Sequence, residues 1–353
     1  MRLDIKTLLR YEETTFICHE KHPTEDLTIW GYFEQPNGKN RVWDNVTRLC
    51  RGTIVDGDGN IIEIPFMKFF SFRQYISPAL LLLNDGQIIP TPPGNPRITE
   101  KVDGTMTTLY RAGGVPYLAT QRSFTNPKAI EATRLLHEKY ANEADRLPTD
   151  RTWVFEAIYP ETRILIDYGQ TRELVLIGSI DKKTGTPLPL PNNTGFPMCR
   201  DFTRDYGHIK RLDELAALDI PNQEGFVLYY LDGTMVKVKF PWYEHAHGLL
   251  DRHINALKIQ PAIHAALRPT QGLQFPRITR DDVFKAFESG DQELLSIRTC
   301  VPPFYNLYGF DWWLSETVAS LTGKRFPIFP LDETFDFARR AKQPHKYETT
   351  MWK

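Results

Sequence analysis

From Arg51 to about Lys239 the apolar residues come in short runs rich in Val, Ile, Phe and Tyr, broken by Gly, Asp, Asn or Pro. Runs this short, closed by turn formers, predict strands folded back on one another. The clearest hairpin joins Thr53–Val55 to Ile61–Ile64 through Asp56-Gly57-Asp58-Gly59-Asn60. Further strands are expected at Thr107–Arg111 and Pro116–Thr120, at Trp153–Ile158, Arg163–Tyr168 and Leu174–Ile180, and at Gly225–Tyr230 with Met235–Phe240 across Asp232-Gly233. Helical periodicity interrupts once, from Asn126 to about Ala144, where Ala129, Ala132, Leu135, Leu136 and Tyr140 share one face. The order predicts an α+β chain with antiparallel sheets rather than alternating βαβ units.

Past Phe240 the strands give way to amphipathic stretches, at Tyr243–Leu267, Arg280–Leu295, Asp311–Leu321 and Leu331–Ala341. Two unequal domains follow, residues 1–245 and a smaller helical domain over residues 246–353. That agrees with a chain of 353 residues at roughly 150 residues per domain. With 43 Lys+Arg against 44 Asp+Glu the net charge is −1, so a polyanion would have to be met by a local patch rather than by bulk charge. No apolar run approaches the roughly 18 to 20 residues of a membrane helix, the best being Ala79–Leu83, and no secretory signal opens the chain. Cys18, Cys50, Cys199 and Cys300 lack CxxC spacing, which indicates neither a zinc site nor a disulfide framework and favours a reducing, cytoplasmic setting.

The chemistry-bearing residues follow a proline-rich connector at Ile89–Pro96. Glu100-Lys101-Val102-Asp103-Gly104 places a lysine two residues before a turn-forming Asp-Gly. Downstream, Glu156 puts a carboxylate on an apolar strand, and Glu224-Gly225-Phe226-Val227 is followed by Val236-Lys237-Val238-Lys239. Side chains alternate along a strand, so Lys237 and Lys239 share a face that the hairpin can bring toward Glu224. Two lysines on an inward face need an anion, for which phosphate is the obvious candidate. A solvated outer face is the other reading, and periodicity alone does not separate the two. Upstream, Arg51-Gly52 opens the first hairpin, and Lys68 lies in the aromatic run Pro65–Phe70, where it needs a partner or must reach solvent along its stem.

In this order and spacing the motifs resemble the covalent nucleotidyltransferase superfamily of polynucleotide ligases and mRNA capping enzymes. The upstream Arg51-Gly52 and Pro65–Phe72 segments narrow the likeness to ATP-dependent RNA ligases of the phage RNA ligase 1 type, over about residues 45–245. The resemblance implies a nucleotidyltransferase domain of ATP-grasp-like antiparallel sheets, followed by a helical domain that helps choose the substrate. It implies that Lys101 attacks the α-phosphate of ATP to form lysyl-AMP. Neighbouring Lys237 and Lys239, with a bound metal, are expected to lower its pKa. Glu156 would hold the ribose hydroxyls, and Glu224 would hold the water of a divalent Mg²⁺ or Mn²⁺. Val227 would lie under the adenine, while Lys237 and Lys239 would bind phosphate. Arg51 and Lys68 would engage the triphosphate. Glu100, Asp103 and Gly104 would complete the nucleotide site, with Asp103 and Gly104 shaping the turn. Tyr243 matches an aromatic position of the family. Arg122 lies in Gln121-Arg122-Ser123-Phe124, which departs from the family's Thr-Arg-Gly-Ser by its missing glycine.

The implied reaction seals RNA bearing a 5′-phosphate to RNA bearing a 3′-hydroxyl through adenylylated enzyme and adenylylated RNA. End healing is left to a separate enzyme, and no membrane partner is implied. Such a protein would work in the cytoplasm, including that of a phage-infected host. A DNA ligase or capping enzyme would be expected to append a five-stranded barrel where this tail reads as helical. An inactive nucleotide- or RNA-binding protein would not need every charged position that the chemistry uses. In the tail, Tyr305, Tyr308, Phe310, Trp312 and Trp313 read as helix packing or base stacking. Arg339, Arg340, Lys342 and Lys346 read as a solvated helix end or a phosphate contact. His245 and His247 have no third residue at metal-ligand spacing.

Overall fold

The computed structural model describes residues 2–33, 43–72, 94–160, 164–244 and His247. The chain divides into two units, Met1–Tyr243 and Glu244–Lys353, and nearly all described residues belong to the first. Apart from Tyr243, Glu244 and His247, the helical stretches expected in the tail lie outside the described residues, as do the aromatic cluster, the basic cluster and His245.

The first unit opens with α1 (Ile5–Thr14), whose N-terminus is capped by the Asp4 carboxylate accepting the Lys6 N–H. A four-stranded antiparallel meander follows: β1 (Ile17–Lys21), β2 (Leu27–Tyr32), β3 (Thr53–Asp56) and β4 (Ile61–Glu63). Helix α2 (Asn45–Leu49), fixed by a reciprocal Asp44–Thr47 capping box, leads into Arg51-Gly52. Next come β5 (Phe70–Ser71), β6 (Arg97–Glu100), β7 (Thr105–Ala112), β8 (Val115–Thr120), α3 (Pro127–Lys139) and α4 (Ala141–Arg146). The unit continues with β9 (Arg151–Ile158), β10 (Glu173–Asp181), β11 (Pro187–Leu188), the short α5 (Thr203–Tyr206) and α6 (Leu212–Ala216), and the hairpin β12 (Gly225–Tyr229) with β13 (Met235–Lys239). Two further sheets result, in the orders β11-β10-β9-β7-β8 and β5-β13-β12-β6. The described part of the first unit is therefore α+β, and its strand pairings are antiparallel apart from that of β5 with β13.

Side-chain alternation decides which way the lysine strand faces. Val236, Val238 and Phe240 are buried with Ile98, Phe226, Leu228, Leu215 and Ala216 on one side of the sheet. Fully burying such side chains contributes about 1.5–3 kcal/mol each. Lys237 and Lys239 are thereby forced to the other side. A separate core packs Leu135 and Leu136 of α3 against Leu118, Trp153, Phe155, Leu174 and Leu176.

The structure corrects three sequence expectations. Residues 164–168 form no strand, because the Asp103 carboxylate takes the Leu165 and Ile166 N–H groups (3.0 Å each) that a ladder would need. The helix expected over 126–144 is two helices, broken at Tyr140, whose backbone leaves the helical region and whose ring stacks on Phe196. Helix α1 and the β1–β2 hairpin lie upstream of the segment where strands were expected to begin.

Candidate active site

Strands β6, β12 and β13 lie side by side, with Phe226 opposite Glu100 and Gly225 opposite Lys239. This register brings three charged groups together at one end of the sheet. Lys101, just past β6, anchors its N–H on the Gly225 carbonyl (2.9 Å). Its Nζ donates to Oε2 of Glu224 at 2.7 Å, while Lys239 Nζ donates to Oε1 of the same carboxylate at 2.9 Å. Gly225 is needed here, since its φ is +146° and a Cβ would lie 2.0 Å from the Val238 carbonyl oxygen.

One buried carboxylate thus serves two ammonium groups. Burial alone would raise the Glu224 pKa, but Lys101 and Lys239 more than offset it and hold the carboxyl below its usual range. Burial likewise pushes Lys101 toward neutrality, and Glu224, Glu156 and Asp103 outweigh it, so its pKa is raised. This direction is opposite to the one expected from Lys237 and Lys239, because the acids Glu224, Glu156 and Asp103 act more strongly on Lys101 than those lysines do. The depressed lysine is Lys237, through burial and the proximity of Lys68, Arg51, Lys101 and Lys239.

Lys237 Nζ sits 4.8 Å from the centre of the Phe69 ring, and the Arg51 guanidinium lies 5.3 Å from the same ring. Arg51 also donates to the Phe66 carbonyl at 3.3 Å. The Lys68 ammonium is lodged among Trp43 (4.8 Å), Tyr32 (5.5 Å) and Phe70 (5.9 Å), so its partners include aromatic faces.

Asp103 and Gly104 knit the turn after Lys101 to its surroundings. The Asp103 carboxylate accepts from Leu165 and Ile166 through Oδ2 and from the Tyr243 hydroxyl through Oδ1 (2.8 Å), while its N–H donates to the Tyr168 hydroxyl (2.9 Å). Gly104 donates its N–H to Oε1 of Glu156 (3.1 Å), and a Cβ there would lie 2.6 Å from the Ala157 carbonyl oxygen. Burial raises the Glu156 pKa to about 8, with Lys101 opposing. Tyr243 is fully buried, and Lys239 Nζ lies 5.0 Å from its ring centre.

The remaining candidates fall outside this cluster or at its edge. Val227 packs with Ile64, Phe66, Phe69 and Val154, opposite Thr99 and Lys237 in register. The Glu100 carboxylate is held by two bonds from Arg200 (3.0 Å each), so its charge is engaged at the surface. Arg122 lies over the Phe33 ring (4.9 Å) rather than against Lys101 or Glu224. Sequence reasoning passed over Tyr168 and Phe69, although both stand in the motif segments it used. Among the described residues no group of three or more His, Cys, Asp or Glu side chains is arranged to hold a metal ion.

No family model matches the chain. A protein of Thermovibrio ammonificans, named as a candidate RNA ligase, is 32% identical over 214 residues, covering 57% of this chain and 53% of that protein. RNA ligase 1 of Bacteriophage TS2126 is 28% identical over 229 residues, covering 58% and 53%. The chain is similar to RNA ligases. It spans about half the length of the curated relatives it matches. Among solved structures it overlaps a candidate ATP-dependent DNA ligase from Aquifex aeolicus at 15% identity and a TM-score of 0.48, covering 91% of this chain and 80% of that one.

Proposed function

We propose that the chain is an ATP-dependent RNA ligase that joins a 5′-phosphate end to a 3′-hydroxyl end, with residues 1–245 as its adenylyltransferase domain. The observation that carries this reading is one buried carboxylate, Glu224, paired with Lys101 and Lys239, beside a second cationic group of Lys237 and Arg51. Its similarity to RNA ligases favours RNA over DNA as the strand joined.

In the first step Lys101 Nζ, having passed its proton by way of Glu224 to water, forms a bond to the α-phosphorus. The bond from that phosphorus to the bridging oxygen breaks, and pyrophosphate leaves with the electron pair. Lys239 neutralises charge on the α-phosphate, and Lys237, Arg51 and Lys68 do so on the departing phosphates. An oxygen of the RNA 5′-phosphate then bonds to that phosphorus as the Nζ–phosphorus bond breaks and Lys101 takes up a proton, and the 3′-hydroxyl, giving its proton to water, bonds to the RNA phosphorus as AMP leaves with the electron pair of the bond that held it. Glu156 and Val227 would hold ribose and adenine. Glu224 would hold a Mg²⁺ or Mn²⁺ ion through water, and such an ion supplies charge neutralisation to the polyphosphate. No helix among the described residues is long and apolar enough to cross a membrane.

Incubation with α-labelled ATP should leave label on the wild-type protein and none on Lys101→Ala; persistent label on the variant overturns the role of Lys101. Label from GTP alone would indicate capping chemistry. Circles formed from 5′-phosphorylated RNA but not from matching DNA would establish the substrate. Joining of 2′,3′-cyclic phosphate ends by the protein alone would remove the need for a separate healing enzyme.

A further inference from the structure

We infer that Phe69 is a positioning residue that holds Arg51 and Lys237 together as a polyphosphate clamp. The inference deepens the ligase reading and rests on it for the identity of the natural ligand. The cations of the site fall into two classes. Lys101 and Lys239 have their counter-charge within the protein, in Glu224. Among the described residues, Lys237 and Arg51 have no carboxylate within ion-pair distance, and each instead lies over the same ring, at 4.8 and 5.3 Å.

Two like charges gathered at one ring repel, and burial removes the water that would screen them. Burial first, and then the nearby Lys68 and Arg51, act in the same direction by lowering the Lys237 pKa. The quadrupole of an aromatic face is the weak substitute available before an anion arrives. Phe69 can act in this way because its own place is fixed. It is 8% exposed, it meets Phe66 edge to face, and it precedes Phe70, which pairs with Val236 next to Lys237 in the parallel β5–β13 ladder. The ring therefore arrives with one strand, Lys237 with its neighbour, and Arg51 with the turn before β3. An anion with several phosphates would meet both cations at a spacing set by one side chain and would relieve their repulsion.

The test is calorimetric titration of the full chain with inorganic tripolyphosphate, comparing wild type with Phe69→Leu and Phe69→Tyr. Leucine keeps an apolar filling without a π face, and tyrosine keeps the face. Phe69→Leu should bind about tenfold more weakly, because without the ring face Arg51 and Lys237 are no longer held at one spacing before the anion arrives, and Phe69→Tyr should stay within about twofold of wild type. If far-ultraviolet dichroism shows that the leucine variant does not fold, Phe69→Met takes its place. Unchanged binding by the leucine variant overturns the inference. So does a tyrosine variant as weak as the leucine one, which would make Phe69 a packing residue only, and so does a wild type that binds no tripolyphosphate. Labelling with α-labelled ATP, run in parallel, separates the two readings: absent label with a Phe69-dependent tripolyphosphate site defeats the ligase reading and leaves the clamp standing.

Discussion

The Tyr243 hydroxyl donates to Oδ1 of Asp103 at 2.8 Å, joining two residues 140 positions apart. Because Oδ2 of the same carboxylate holds the Leu165 and Ile166 N–H groups, Asp103 ties the turn after Lys101 to two distant segments at once. Removing the hydroxyl in Tyr243→Phe leaves a buried acceptor short of one donor. A loss of about 1–3 kcal/mol is expected, read by urea unfolding, together with slower labelling of Lys101 at saturating ATP.

Gly104→Ala tests the close approach of that turn to β9. The added Cβ would come 2.6 Å from the Ala157 carbonyl oxygen and 3.1 Å from Glu156 Cγ. Backbone cannot yield as a side-chain end can, so destabilisation of about 1–3 kcal/mol is expected. An unfolding midpoint equal to that of wild type would mean that the turn has more room than the structure describes.

Glu224→Gln removes the single anion shared by Lys101 and Lys239. Glu224 raises the Lys101 pKa, so its loss should lower it, and Lys101 should become reactive at lower pH. The pH midpoint for reductive methylation of Lys101, followed by mass spectrometry of the ligand-free protein, should move downward in the variant. An upward shift would contradict the described pairing.

Glu156 links the site to stability against pH. Its carboxyl is raised from 4.5 to about 8, so the folded state holds the proton more tightly than the unfolded state does. The resulting stabilisation is present below about pH 4.5 and is lost as pH rises through about 8. Glu63, raised to about 7 by burial against the pull of Lys182, acts with the same sign over a narrower window. Glu156→Gln should therefore gain stability relative to wild type between pH 5.5 and pH 9. Parallel unfolding curves at the two pH values would argue against a buried, proton-holding Glu156.

Much of this arrangement was legible in local pattern. Asp232-Gly233 marked the β12–β13 hairpin, and alternation put Lys237 and Lys239 on one face. The apolar positions of α3 were readable from their spacing, because they all pack on one side. What escaped was set by contacts distant in sequence. The segment Leu165–Tyr168 has the composition of a strand, but its amides are claimed by Asp103, about sixty residues earlier. Lys237 and Lys239 read as neighbours that would depress Lys101, because periodicity reports which face a charge occupies and not its distance from an acid. Phe69 looked like one more apolar residue beside Lys68, and its meeting with Arg51 and Lys237 depends on how β5 joins the sheet.

The strand order β5-β13-β12-β6 places β13, the last strand of its unit to be made, in the interior of its sheet. Until residue 239 has emerged from the ribosome, β5 lacks its partner among the described strands, Glu224 lacks its second ammonium group, and the Asp103 carboxylate still waits for Tyr243. A partly synthesised chain therefore cannot assemble the Lys101–Glu224–Lys239 cluster, and chain order itself makes that cluster a feature of the finished sheet.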